Sequence, residues 1–284
     1  MTMIRIISDS TCDLTQEQAR ILGIVLLPMH VRFGDNEYLD GINLSAEEFY
    51  SKLVETDVFP KTSQVTPYEY EEAIEREIDK GNDVLILTVS SKVSGCYQSA
   101  VYAASEYGDK VRVIDTESVS MGIQLLLHVA QDLIAQGKSL HEVGDILDQE
   151  KKRVRFVALL NTLEYLKKGG RLSSAKAAAG KLLGLKPVIC QLEGEVAVLG
   201  TARGSKSGSN LLMKYTEENH IDLNMPFGLI YSGFSDALVQ KYIRDSAHLY
   251  EGKNAEDFKI SRLGACIGTY AGPDAIGAAY FASK

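Results

Sequence analysis

Cysteine is scarce in this 284-residue chain, and the four present, Cys12, Cys96, Cys190 and Cys266, are scattered with no C-x-x-C pair. That excludes a disulfide-stapled secreted scaffold and favours a reducing, cytoplasmic setting. Excess positive charge is also missing: 30 Lys and Arg stand against 38 Asp and Glu, for a formal net charge of −8. A chain so balanced is not built to coat nucleic acid or an anionic membrane surface, although a local basic patch is still allowed. No apolar run approaches the roughly 20 residues needed to span a bilayer. The first residues, Met1 to Ser8, enter a strand pattern at once, without the charged and then apolar segments of a secretory signal. The expectation is a protein neither exported nor integral to a membrane. Also absent are a Walker loop, a Gly-x-Gly-x-x-Gly turn and any His, Cys and Asp spacing that resembles a metal cage.

What is present is an α/β pattern on a 45% apolar composition, enough for one large domain or two ordinary ones. Ile4–Ile7, Ile24–Val31, Val84–Val89 and Val111–Ile114 read as short strands, separated by helical patterns at Gln16–Leu22, Ala46–Val54, Tyr68–Asp79 and Tyr97–Ser105. Ser45 with Glu48 and Ser139 with Glu142 are capping boxes that start helices. Gly34-Asp35-Asn36 predicts a hairpin inserted in an otherwise parallel pattern.

Helices over Ile123–Gln136 and Leu140–Glu150 lead to Lys151-Lys152-Arg153, a boundary before a strand at Val154–Leu160. Beyond it the order changes to a hairpin (Val188–Leu192 and Val196–Gly200 around Glu193-Gly194-Glu195), a helix over Ser207–Glu218, a strand over Phe227–Tyr231, a helix over Ala237–Leu249 and a strand over Phe258–Leu263. The sequence thus predicts an N-terminal α/β domain with a mainly parallel sheet, 1–153, and a C-terminal α+β domain with a mixed sheet, 154–284. A ligand cleft is expected between them.

Three polar clusters sit where a parallel sheet places ligands. Ser90-Ser91-Lys92-Val93-Ser94-Gly95 follows an apolar strand and opens a helix, so hydroxyls and free N–H groups gather at a helix N-terminus that suits an anion. Gly95 lets backbone approach a ligand while Ser94 offers its hydroxyl. Asp9-Ser10-Thr11-Cys12-Asp13 closes the first strand, and Lys61-Thr62-Ser63-Gln64 lies in a loop before Pro67. Each cluster alone also reads as an ordinary cap or turn. Asp9 and Asp13 read either as N-caps or as a magnesium-binding carboxylate pair. For a serine hydrolase, Ser94 lacks the glycine two residues before it that an elbow requires, and none of the five histidines falls in a polar cluster. These residues suit holding a small anion better than transforming it, with an enzyme using Ser94 or Asp9 on a phosphorylated or acyl substrate as the alternative.

The segments Ile7-Ser-Asp-Ser-Thr-Cys-Asp-Leu14, Lys61-Thr-Ser-Gln64, Ser90 to Ser99, Val113-Ile-Asp-Thr116 with Ser120-Met-Gly122, Thr162 to Ser173 and Gly264 to Pro273 resemble, in order and across the whole chain, the motifs of the DegV family. The resemblance implies a long-chain fatty acid held in a tunnel between the two domains. It also implies similarity to the fatty-acid-binding subunit of bacterial fatty acid kinase, in which a separate ATP-dependent kinase phosphorylates the carboxylate for phospholipid metabolism. On that footing the carboxylate falls to Thr62, Ser94 and the Gly95 N–H, with Ser63 and Tyr270 in support. Arg171, in the basic turn Lys167-Lys168-Gly169-Gly170-Arg171, is the kinase contact on an exposed loop. No catalytic residue, metal or cofactor is implied. The chain departs from the family at Tyr270, where the pattern Gly-Thr-His-x-Gly-Pro-Gly carries histidine. A tyrosine can donate one hydrogen bond but titrates near 10, so either it replaces the imidazole as a donor or the ligand is a different carboxylate.

Overall fold

The computed structural model describes residues 3–172, 184–253 and 257–284. The chain begins with β1 (Ile4–Asp9), a 3-10 turn (Ser10–Cys12), α1 (Gln16–Ile21) and β2 (Ile24–Leu27). It continues through β3 (His30–Phe33), β4 (Asn36–Leu39), α2 (Ala46–Glu55), β5 (Lys61–Ser63) and α3 (Pro67–Ile78). Then come β6 (Asp83–Thr88), α4 (Cys96–Ala104), β7 (Val111–Asp115), α5 (Met121–Ala135) and α6 (Leu140–Glu150). Strands β1, β2, β6 and β7 form a parallel four-stranded sheet in the order β2-β1-β6-β7. Val84 to Leu87 of β6 are fully buried, as expected for a parallel strand covered on both faces.

After a 3-10 turn at Lys151–Arg153 follow β8 (Val154–Leu159), α7 (Glu164–Lys168), β9 (Leu185–Leu192), β10 (Glu195–Arg203) and α8 (Gly204–Glu218). The chain closes with β11 (Phe227–Tyr231), α9 (Ala237–Asp245), β12 (Lys259–Arg262), α10 (Ala265–Ala271) and β13 (Ile276–Phe281). These strands make one mixed sheet, β10-β9-β8-β13-β11-β12, in which β11 and β12 are the parallel pair. The turn between β9 and β10 has positive φ at Glu193 (51°) and Gly194 (80°), the backbone that a two-residue hairpin loop demands. The architecture is therefore α/β, with a parallel and a mixed sheet. Helix α5, buried along most of its length, packs against both sheets.

Among the described residues four helices begin with capping boxes: the two expected, at Ser45 and Ser139, and two more, at Thr15 with Gln18 and at Thr66 with Glu69. The single strand expected over Ile24–Val31 is instead broken at Pro28, which has no N–H to give a ladder. Its first half pairs with β1, whereas β3 turns away to form the antiparallel sheet β4-β3-β5. The Met29 N–H between them donates to Ser10 Oγ at 3.0 Å. Lys61–Ser63, expected as loop, is strand β5, paired with β3 so that Thr62 faces Val31. The helix expected to reach Leu249 ends at Asp245, where the Ser246 hydroxyl bonds back to Tyr242 O at 2.7 Å, and a 3-10 turn follows. Among the described residues no helix is long and apolar enough to cross a membrane.

One contact fixes how the end of the chain meets its beginning. Asp40, 3% exposed, accepts from the Ala265 N–H (2.9 Å), the Cys266 N–H (3.3 Å) and the Ser10 hydroxyl (2.9 Å). Beside it Asp13 accepts from the Gly264 N–H at 2.7 Å. Both carboxyls thus serve the N-terminus of α10, where three backbone donors have no helical acceptor. Burial pushes the pKa of each above the usual carboxylate range, against the pull of those hydrogen bonds. Replacing Asp40 by Ala strands three buried donors, and Asp40→Ala should destabilise the fold by about 3 kcal/mol in urea denaturation. Asp40→Asn, which keeps one carbonyl acceptor, should lose less; equal stability of wild type and Asp40→Ala would show that the contact contributes nothing.

Candidate functional site

The loop from β6 into α4 is held rigidly from below. Val89 N–H donates to Asp9 Oδ2 (2.9 Å), Ser91 N–H to Asp115 Oδ1 (3.1 Å), and Ser90 Oγ to Gly194 O (2.8 Å) in the β9–β10 turn. Val93 and Ser94 N–H groups both fold back onto Ser90 O. Gly95 is left as the N-cap of α4, and among the described residues its own N–H has no acceptor. The Ser94 hydroxyl accepts from the Cys96 N–H at 3.3 Å and points its proton at Cys96 Sγ, a partner weak enough to be exchanged for an oxygen. Gly95 is required by close approach: a Cβ there would lie 1.9 Å from Gln64 Oε1, a side chain fixed by its bond to Ser99 Oγ at 2.6 Å.

Opposite this loop stand Thr62 on β5 and Tyr270 on α10, whose hydroxyls are hydrogen-bonded to each other. Burial pushes the Tyr270 phenol above its usual value, so it stays neutral throughout the physiological range. Its ring lies against Gly169, where a Cβ would meet it at 2.4 Å, and under the Arg171 guanidinium, 5.1 Å from the centroid. Arg171 Nε and Nη1 donate to Val93 O (3.1 Å) and Gly169 O (2.8 Å). The expected free guanidinium on an exposed loop is therefore corrected: Arg171 is half-buried, because those two carbonyls and the aromatic face hold it in.

Thr62, Ser63, Ser94, Gly95, Arg171 and Tyr270 all line one cavity of about 350 Å³. Its remaining wall is mostly apolar, with Met29, Val89 and Val119 from the first half of the chain and Phe156, Ile189 and Ile230 from the mixed sheet. The result is a mostly apolar cavity whose wall also carries hydroxyls and a helix-end N–H with no acceptor among the described residues, an arrangement that suits an amphiphile with a small anionic head.

The first polar cluster behaves differently. Only Thr11 of 9–13 lines the cavity; Asp9 is buried and accepts from the Thr11 and Val89 N–H groups, and Asp13 is turned to Gly264. Both carboxyls thus serve as caps. Among the described residues no group of three or more His, Cys, Asp or Glu is placed to hold a metal ion. No histidine lines the cavity; His30 lies between Glu37 and Glu69, and burial together with Lys259 lowers His128 to about 4. The thiol nearest Ser94, Cys96, is pushed up to about 12 by burial. Among the described residues the Ser94 hydroxyl is hydrogen-bonded to Cys96 and to no histidine or carboxylate. Gln64 and Gly169 lie in motifs that the sequence singles out, but their roles as the packing partner of Gly95 and the seat of Tyr270 are visible only in three dimensions. Ser173, the last residue of the fifth motif, lies outside the described residues.

Comparison with known proteins follows the same lines. The model of the DegV family, described as an uncharacterised protein family, matches residues 3–283. A DegV domain-containing protein of Caldanaerobacter subterraneus is 30% identical over 281 residues, 98% of each chain. Among solved structures, a DegV family protein from Thermus thermophilus described for its fatty acid binding superposes with a TM-score of 0.88 at 30% identity, over 99% of this chain and 100% of that one. A stearic acid-binding protein from Eubacterium ventriosum gives 0.86 at 27% identity, over 99% and 98%. With a family model spanning nearly its whole length and relatives matched end to end, this chain belongs to the DegV family.

Proposed function

We propose that the protein is a non-catalytic carrier that holds a long-chain fatty acid in the tunnel between domains 1–153 and 154–284 and presents its carboxylate to a partner fatty acid kinase in the cytoplasm. The observation that carries this reading is the mostly apolar cavity whose wall carries the Thr62 and Ser94 hydroxyls and the Gly95 N–H, which has no acceptor among the described residues, with Ser63, Arg171 and Tyr270 beside them. A fatty carboxylate accepts charge-assisted bonds from all three, and the end of α4 adds a favourable field. Along the tail each buried CH₂ contributes about 0.8 kcal/mol, so the chain supplies most of the affinity and the head group sets its direction. The fatty acid binding described for the Thermus and Eubacterium structures supports the same ligand class. In this reading Tyr270 stands in for an imidazole as a neutral donor that orients Thr62, with Ser63 beside it. No cofactor takes part.

The test is mass spectrometry of the purified protein under native and denaturing conditions. A fatty acid released intact on denaturation is the expected result; an empty protein that also fails to take up added fatty acid would contradict the carrier. Ser94→Ala and Thr62→Ala should each weaken fatty-acid binding by about 1–3 kcal/mol, the range for losing a bond to a charged acceptor, as read by titration with a fluorescent fatty acid. An unchanged affinity in the double variant would put the carboxylate elsewhere.

Arg171 tests presentation. Because it braces Tyr270 and Val93, Arg171→Ala should weaken fatty-acid binding modestly. At saturating fatty acid, with the kinase and ATP added, acyl phosphate formation should still fall sharply, since saturation repairs binding but not docking. Full recovery at saturation would limit Arg171 to bracing the pocket.

A further inference from the structure

The strands of the mixed sheet give the cavity an apolar floor of Phe156, Ala158, Ile189, Val196 and Ile230, with one exception. On β9 the side chains two residues apart share a face, so Gln191 follows Ile189 into the cavity wall, while Cys190 between them packs with the apolar cluster on the other side of the sheet. The polar atoms of Gln191 are poorly used. Nε2 reaches Gly194 O at 3.4 Å, long for a hydrogen bond, and Oε1 is buried with no partner among the described residues. Contact with a carbonyl fixes which end of the amide is nitrogen, so the group left over is an acceptor. The other carboxamide of the cavity wall, Gln64, is by contrast tied to Ser99 Oγ at 2.6 Å. A buried acceptor without a donor is costly, and a ligand that brings an O–H into the cavity would relieve that cost.

The position of Gln191 says where on the ligand that O–H belongs. Gly194 O, which Gln191 Nε2 reaches, also accepts from Ser90 Oγ at 2.8 Å, and Ser90 O accepts in turn from the Ser94 N–H. Val196, opposite Gln191 in the β9–β10 ladder, lines the cavity together with Val93, Ser94 and Gly95. Gln191 therefore stands near the proposed carboxylate donors. A fatty carboxylate has no hydrogen to donate, and neither has a plain alkyl chain. We propose that the cavity accepts fatty acids hydroxylated on a carbon next to the carboxyl, the α- or β-hydroxy acids. Gln191 Oε1 accepts a hydrogen bond from the hydroxyl while Thr62, Ser94 and the Gly95 N–H hold the carboxylate. This inference rests on the fatty-acid reading above and names Gln191 as the residue that sets specificity within that ligand class.

The test is calorimetric titration of the delipidated protein with palmitate and with its α-, β- and ω-hydroxy derivatives, four ligands of one chain length. A hydroxyl buried without an acceptor weakens binding by about ten-fold, and the ω-hydroxy acid, whose hydroxyl lies at the far end of the tail, should show that loss. The α- or the β-hydroxy acid should instead bind the wild type at least as tightly as palmitate, because it fills an acceptor that palmitate leaves unpaired. Gln191→Met, which keeps the length of the side chain and removes the acceptor, should weaken that hydroxy acid about ten-fold and leave palmitate within about two-fold. The comparison of ligands on the wild type needs no variant and decides the matter even if Gln191→Met does not fold. Weaker binding of both the α- and β-hydroxy acids than of palmitate, an ω-hydroxy acid that binds as well as they do, or no selective loss in a folded Gln191→Met would overturn the role of Gln191 alone. Failure of the wild type to bind palmitate or any hydroxy acid would overturn the fatty-acid reading and this inference with it.

Discussion

Asp40 accepts hydrogen bonds from Ser10 at the end of the first strand and from Ala265 and Cys266 near the end of the chain, while Asp13 beside it accepts from Gly264. The placement of α10, and with it of Tyr270 in the cavity wall, rests on that buried contact. Helix α10 is only seven residues long and too short to hold itself in water. Gripped at its N-terminus, it carries Cys266, Ile267, Tyr270 and Ala271 into the cavity wall. Gly268 is the position at which α10 crosses α2, and a Cβ there would meet the Tyr50 hydroxyl at 2.6 Å. The same small group of side chains thus joins the two halves of the chain and sets the height at which Tyr270 meets Thr62.

From Tyr270 the coupling runs outward. Its hydroxyl meets Thr62, its ring is flanked by Gly169 and Arg171, and Arg171 returns to the Val93 carbonyl one residue before Ser94. The proposed head-group donors and the basic turn after α7 are therefore parts of one packed unit. A partner that engages Arg171 would act on a residue already in contact with both sides of the site. In the proposed function, apolar burial would fall to the cavity wall and polar capture to its hydroxyls, so that tail length and head chemistry would be selected separately.

The order of elements in the first half was legible because parallel strands there are continuous apolar runs and their helices begin with caps. The loop Ser90–Gly95 announced itself by hydroxyls and glycine directly after a buried strand. Strand β5 did not: Lys61-Thr62-Ser63 has no apolar alternation, and only its pairing with β3 makes it a strand. Strand β13 was equally silent. Ile276-Gly-Ala-Ala-Tyr-Phe281 is buried along its whole length between β8 and β11, so no face had to be polar, and small residues weaken the signal. Asp9 and Asp13 show the opposite failure. Their residue types favour a cap but leave a metal open, and the direction of the Val89 and Gly264 N–H groups decides for caps. The family resemblance supplied Tyr270 and Arg171 as site residues, but their mutual stacking could be seen only in three dimensions.

The most direct measurement is carbon-13 NMR of a carboxyl-labelled long-chain fatty acid bound to the protein, followed as a function of pH. If the carboxylate sits on the Thr62 and Ser94 hydroxyls and the Gly95 N–H, those donors and the helix end stabilise its charge. It should give one sharp bound resonance and stay ionised below the pH at which the same acid protonates in dilute solution. A bound carboxyl that protonates at or above that pH, as a desolvated acid without donors would, contradicts the account.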